Sequence, residues 1–214
     1  MHTLEKSDRS AIILADISEG KFSRDKGLLK LDNKPLLYYV IGAVKSIVNE
    51  VIVVTSSEEQ ADQYSKVSPP NICFKVGSGE PDGTLNPALT GFEAAQGKYS
   101  LLLPFDSPFV SRDVVSLLFE CAIGKTAVVS RRSGEQIEPL HAVYNTKKAA
   151  EAARNALAHG ETDVETMVSK LQGVRYISSM VIEQLDPDFQ TFFRIKTPLD
   201  LKRALVIKKG RKIE

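Results

Sequence analysis

Tryptophan is absent from this 214-residue chain, and cysteine, histidine and methionine are scarce, with two, three and three copies. Cys73 and Cys121 both sit in apolar contexts, so neither a disulfide framework nor a zinc-type cysteine spacing is expected. His2, His141 and His159 are scattered and make no metal-binding run. The 28 Lys and Arg nearly balance the 27 Asp and Glu, leaving a net charge of +1. No overall field therefore favours nucleic acid or an anionic membrane as partner. No apolar run approaches the ~18 residues of a membrane span. The opening stretch, Met1 to Arg9, is polar and unlike a signal peptide. A soluble, cytoplasmic protein is the expectation.

What is present is core-forming material. Hydrophobic residues make up 43% of the chain, enough for one large α/β domain. Apolar, β-branched runs alternate with helical patterns, the signature of βαβ units around a mostly parallel sheet. Strands are predicted over 11–15, 51–55, 72–76, 99–104, 126–130, 141–144, 174–177 and 192–195. Helices are predicted over 35–48, 58–66, 86–96, 111–121, 146–158, 163–171 and 198–207. Ser57 with Gln60, and Ser111, read as helix caps. The strands are continuous apolar runs, so both faces of the sheet should be covered. There is no internal repeat. Residues 1–9 are expected to be a flexible N-terminus, 10–207 the domain, and 208–214 a basic, solvated tail.

Several residues stand out chemically. Leu14-Ala15 closes the first strand, and a loop with Lys21, Arg24, Asp25 and Lys26 follows. A strand emptying into a basic loop near the start of an α/β chain is a common seat for nucleotide phosphates. Its first turn, however, carries Asp16 and Ile17 where a tight phosphate cradle favours glycine. Lys26 is suited to neutralising phosphate oxygens or a departing pyrophosphate, and equally to being a solvated loop cation. Asp106 follows the strand 99–104, where a carboxylate would enter the ligand crevice and hold Mg²⁺; it could instead cap the turn beside Pro108. Residues 77–87 form a small-residue loop entering a helix, a candidate anion cradle or an ordinary loop, and Gly91 on that helix permits close backbone approach. Glu138 and His141 could shape a pocket wall, with His141 read as a half-buried structural residue.

In order and spacing these pieces resemble the molybdenum cofactor guanylyltransferases, from about Ala11 to Ala204. The similar segments are Leu14-Ala15, Asp25-Lys26-Gly27-Leu28-Leu29, Asn33-Lys34-Pro35-Leu36, Asn86-Pro87-Ala88-Leu89-Thr90-Gly91, Phe105-Asp106-Ser107-Pro108, Glu138-Pro139-Leu140-His141 and Thr197-Pro198. The resemblance implies a single-domain, Rossmann-like three-layer α/β sandwich of the nucleotide-diphospho-sugar transferase type. It implies transfer of GMP from GTP to molybdopterin, with molybdoenzyme-maturation proteins as further partners. Lys26 and Asp106 would be catalytic, with Asp106 the Mg²⁺ ligand. Leu14, Ala15, Lys21, Asp25, Lys26 and Gly91 would contact the nucleotide. Two alternatives stay open: a binding module that has lost catalysis, and guanylyl transfer to another phosphorylated acceptor. The chain departs from the family pattern at Asp16-Ile17, in place of two glycines. It departs again at Arg194-Ile195-Lys196, in place of Asn-x-Asn. Two cations there would oppose Mg²⁺. The expectation is that one of them, Lys196 rather than Arg194, pairs with Asp106 and stands where the metal charge would be.

Overall fold

The first strand shows how the layers arise. In this computed structural model, which describes residues 4–15, 26–77, 83–132 and 136–210, β1 (Arg9–Leu14) is buried from Ser10 onward. Its side chains alternate between two cores, as a period-two backbone requires. Ala11 and Ile13 join one hydrophobic cluster, and Ile12 and Leu14 join another. A small hairpin follows, β2 (Lys30–Leu31) and β3 (Lys34–Pro35). Then come β4 (Glu50–Thr55), β5 (Cys73–Val76), β6 (Tyr99–Pro104), β7 (Ala127–Arg131), β8 (Ile137–Asn145) and β9 (Val174–Ser178). With β1 they form a seven-stranded sheet in the order β5-β4-β1-β6-β8-β7-β9. Only β8 runs against the others, pairing antiparallel with β6 and β7.

Helices cover both faces. The first core takes apolar stripes from α1 (Leu36–Val44) and α4 (Arg112–Cys121), Tyr64 of α2 (Glu58–Ser65) and Ile182 of α7 (Ser179–Glu183). The second core takes α3 (Leu85–Ala94), α5 (Thr146–Ala158) and α6 (Val164–Lys170). A third, smaller cluster of Leu31, Leu36, Phe109, Ile195 and Ala204 fastens α8 (Pro198–Gly210) to the hairpin. The expected caps are present. Ser57 accepts from Gln60 N–H, while Gln60 Oε1 accepts from Ser56 N–H, and Ser111 accepts from Val114 N–H.

The chain passes from β4 and β5 on one side of β1 to β6 on the other. The carboxyl ends of β1 and β6 thus flank a topological switch point, where open α/β sheets bind ligands.

Two sequence expectations are corrected, at 192–195 and at the end of the last helix. The stretch 192–195 is not a strand. Its start belongs to a 3-10 turn, Gln190–Phe192, and it makes one sheet-like bond, Ile195 N–H to Asp106 O at 2.9 Å. Helix α7 was not foreseen; at five residues it is too short for a periodicity to register. Near the start of the described chain, Arg9 Nη2 donates to Leu4 O at 2.8 Å and its guanidinium lies over the Phe119 ring. Helix α8 continues past Ile207 to Gly210, with Lys208 packed over Tyr39 and 3.3 Å from Asp32. A long aliphatic stem with a charged tip can serve a helix end in this way.

Candidate functional site

The site is built at the end of β6. The β1 backbone carries the strand to its limit: Phe105 N–H donates to Leu14 O at 3.1 Å, and Ala15 N–H donates to Val54 O at 2.8 Å. Leu14 and Ala15, expected at the nucleotide, are buried in the sheet with these groups engaged. Lys21 and Asp25 lie outside the described residues. The backbone of Lys26 opens a 3-10 turn, Lys26–Leu28. Tyr64, fully buried, anchors that turn by accepting from Gly27 N–H at 3.3 Å.

Asp106 is almost completely buried, and both of its oxygens are engaged. Arg194 Nε donates to Oδ1 at 2.8 Å, and Arg194 Nη2 donates to Oδ2 at 3.2 Å. The cation on Asp106 is therefore Arg194, not Lys196. The guanidinium fork matches a carboxylate bidentately, which an ammonium cannot do. The segment that delivers Arg194 is fastened at several points. Buried Asp186 accepts from the N–H groups of Gln190 and Thr191, Thr191 Oγ1 accepts from Ser111 N–H, and Phe189 takes a left-handed φ of 51° to make the turn.

Next to this pair lies a second set of polar groups. Ser107 Oγ and His141 Nε2 share a hydrogen bond of 3.0 Å, and Phe192 meets the imidazole edge-on. His141 is fully buried, not half-buried as expected. Burial first, then Arg194 and Arg132, lowers its pKa to about 3, so the ring is neutral. Its Nδ1 has no hydrogen-bond partner among the described residues and lies 3.9 Å from Glu138 Oε2. Glu138 pairs with Arg132 at 3.1 Å; burial raises its pKa, while Arg132, Arg194 and Lys196 oppose the rise. Sequence reasoning singled out Glu138 and His141 but missed Ser107 and Arg132, whose roles no local pattern announces.

Two cavities meet here. One of about 700 Å³ is lined by Arg132, Phe192, Arg203 and the 188–190 turn. One of about 230 Å³ is lined by Thr84, Pro139, His141 and Asp163. Glu138, Arg194 and Lys196 line both. Gly91, by contrast, lies where α3 crosses β1. A Cβ there would sit 2.3 Å from Ile12 Cγ2, so its small size serves helix–sheet packing. The expected Mg²⁺ does not fit the residues as they stand. Each Asp106 oxygen already accepts from the cationic Arg194 guanidinium, and no cluster of three or more Asp, Glu, His or Cys able to hold a metal exists among the described residues. No helix among those residues is long and apolar enough to cross a membrane.

Comparison with known proteins gives a consistent pattern. A family model described as "MobA-like NTP transferase domain" matches residues 11–174. A Methanosarcina mazei protein named "Probable molybdenum cofactor guanylyltransferase" is 31% identical over 206 residues, covering 94% of this chain and 92% of its own. A Methanosarcina acetivorans protein of the same name is 31% identical, covering 92% and 90%. Among solved structures, a molybdopterin-guanine dinucleotide biosynthesis protein A from Archaeoglobus fulgidus superposes with a TM-score of 0.76. It is 22% identical and covers 94% of this chain and 99% of its own. A Thermus thermophilus 2-C-methyl-D-erythritol 4-phosphate cytidylyltransferase gives 0.66 at 20% identity, covering 93% and 98%. At those identities the two structures speak to the fold.

Proposed function

This chain belongs to the family of MobA-like NTP transferase domains, and from that premise we infer that it transfers a guanylyl group from GTP to molybdopterin. An oxygen of the molybdopterin phosphate attacks the α-phosphorus of GTP, a phosphoanhydride bond forms, the α–β bond breaks, and pyrophosphate departs. The protein supplies position and charge, as in phosphoryl transfer generally. Lys26, in the loop after β1, meets the charge that accumulates on the leaving pyrophosphate. The two cavities that Arg194 borders receive the substrates, and the work is done in the cytoplasm.

The observation that carries this reading is the match of the family model to residues 11–174, which takes in the end of β1, the loop after it and the Asp106 end of β6. The decisive experiment incubates the purified full chain with GTP and molybdopterin. Pyrophosphate release and molybdopterin guanine dinucleotide are measured together, with CTP and ATP as controls. Product with GTP but not with CTP or ATP is expected. No dinucleotide from any nucleotide, with the fold intact by circular dichroism, rejects the reading.

A further inference from the structure

The Arg194–Asp106 pair is buried on both sides, with side-chain exposures of 12% and 3%; an ordinary surface pair here, Lys66–Asp62, is 67% and 66% exposed. It is also built into the fold. Ile195 N–H bonds the backbone of Asp106 at 2.9 Å, and the preceding turn is gripped by Asp186 and bonded through Thr191 to Ser111. A divalent ion of the Mg²⁺ type approaches a carboxylate oxygen to about 2.0–2.1 Å in a near-octahedral shell. Guanidinium nitrogens stand at 2.8 and 3.2 Å from the two oxygens that would have to supply that ligand. They bring a fixed positive charge that repels the ion. Separating the pair to admit a metal leaves a buried guanidinium uncompensated, which is costly. Arg194 at the same time lines both cavities, so its charge borders the space assigned to substrate.

We propose that the Arg194 guanidinium is the resident cation of this site: it holds Asp106 and contacts a phosphate oxygen of the nucleoside triphosphate, which binds with no divalent ion on Asp106. The nucleotide part rests on the guanylyl-transfer reading; the exclusion of metal from Asp106 does not.

Two arms test it. In the first, Mn²⁺ alone is titrated to millimolar concentration and followed by electron paramagnetic resonance and melting temperature. The wild type shows no bound Mn²⁺ and no change in melting. Arg194→Asn, with Arg194→Gln as a second variant should the first not fold, binds one Mn²⁺ per chain and melts higher with it. Adding Asp106→Asn removes that gain. Mn²⁺ bound by the wild type and lost in Asp106→Asn overturns the proposal, as does an Arg194 variant that folds yet gains no metal. In the second arm, GTP raises the wild-type melting temperature equally in EDTA and in Mg²⁺, whereas in Arg194→Asn the shift appears only with metal. A wild-type shift that vanishes in EDTA overturns the proposal. If GTP moves the melting point under neither condition, the guanylyl-transfer reading fails and the phosphate contact with it. The Mn²⁺ arm then still decides whether Arg194 keeps metal off Asp106.

Discussion

Arg194 and Asp106, 88 positions apart in sequence, meet through two parallel hydrogen bonds, Nε to Oδ1 at 2.8 Å and Nη2 to Oδ2 at 3.2 Å. Charge-assisted, bidentate pairs of this kind fix direction as well as distance. The pair locks the 190–197 segment onto the end of β6.

That lock has a measurable strength. Removing either partner of a buried pair leaves the other charge stranded, so Asp106→Ala and Arg194→Ala should each destabilise the chain by about 3 kcal/mol. The double variant should cost less than the sum, with a coupling energy of about 1–3 kcal/mol in a double-mutant cycle. Urea denaturation of the four proteins measures it, and additive losses would contradict the pairing.

His141 makes stability depend on pH. Its folded pKa is about 3, depressed by burial and then by Arg194 and Arg132, against an ordinary value of 6.5. Below pH 6.5 the unfolded chain takes up a proton that the folded chain refuses. The stabilisation is therefore complete above pH 6.5 and is lost as pH falls toward 3, by about 1.4 kcal/mol per unit. Glu138, with its pKa raised by burial, contributes in the opposite sense and only near the carboxylate range. Between pH 6.5 and 5 the wild type should lose about 2 kcal/mol. His141→Asn, which does not titrate, should show a much flatter profile by urea denaturation across that window.

The crossing of α3 over β1 leaves no room for a side chain at Gly91, since a Cβ would press on Ile12 at 2.3 Å. Ile12 is β-branched and fully buried, so it cannot swing aside. Gly91→Ala should destabilise by about 1–3 kcal/mol, the usual cost of overpacking. Ile12→Ala, which removes Cγ2, should relieve the contact, so the double variant with Gly91→Ala should cost less than the sum of the two single changes. Thermal melts of the three variants test the contact directly.

The loop after β1 separates chemistry from anchoring. Lys26→Ala should lower kcat/KM for GTP by about 10²- to 10³-fold, the scale of losing one stabilising donor, with circular dichroism unchanged. Tyr64→Phe removes the acceptor that Gly27 N–H uses at 3.3 Å. It should lower stability by about 1 kcal/mol and raise KM for GTP a few-fold, leaving kcat nearly intact. Steady-state kinetics beside urea denaturation distinguishes the two.

Much of the fold was legible because its signal is local. The continuous apolar run of β1, the Ser57–Gln60 cap and the Ser111 cap follow from neighbouring residues, and all three formed as expected. The stretch 192–195 misled because Phe192, Phe193 and Ile195 read as strand-forming. They are instead dispersed, against His141, against Phe109 and into the small cluster under α8. Gly91 looked like a site for backbone approach to ligand, and the close approach is real, but the neighbour is Ile12.

The sequence alone determined the three-layer α/β domain, the position of Asp106 at a strand end and the presence of cations in place of asparagines near Thr197. Hydrophobic periodicity and residue identity need no knowledge of distant contacts. Only the tertiary structure decided that Arg194 reaches Asp106, that His141 is buried and neutral, and that Gly91 packs against Ile12. Each depends on the path of a segment far away in the chain, and a hydrogen bond exists only where that path brings donor and acceptor within about 3 Å.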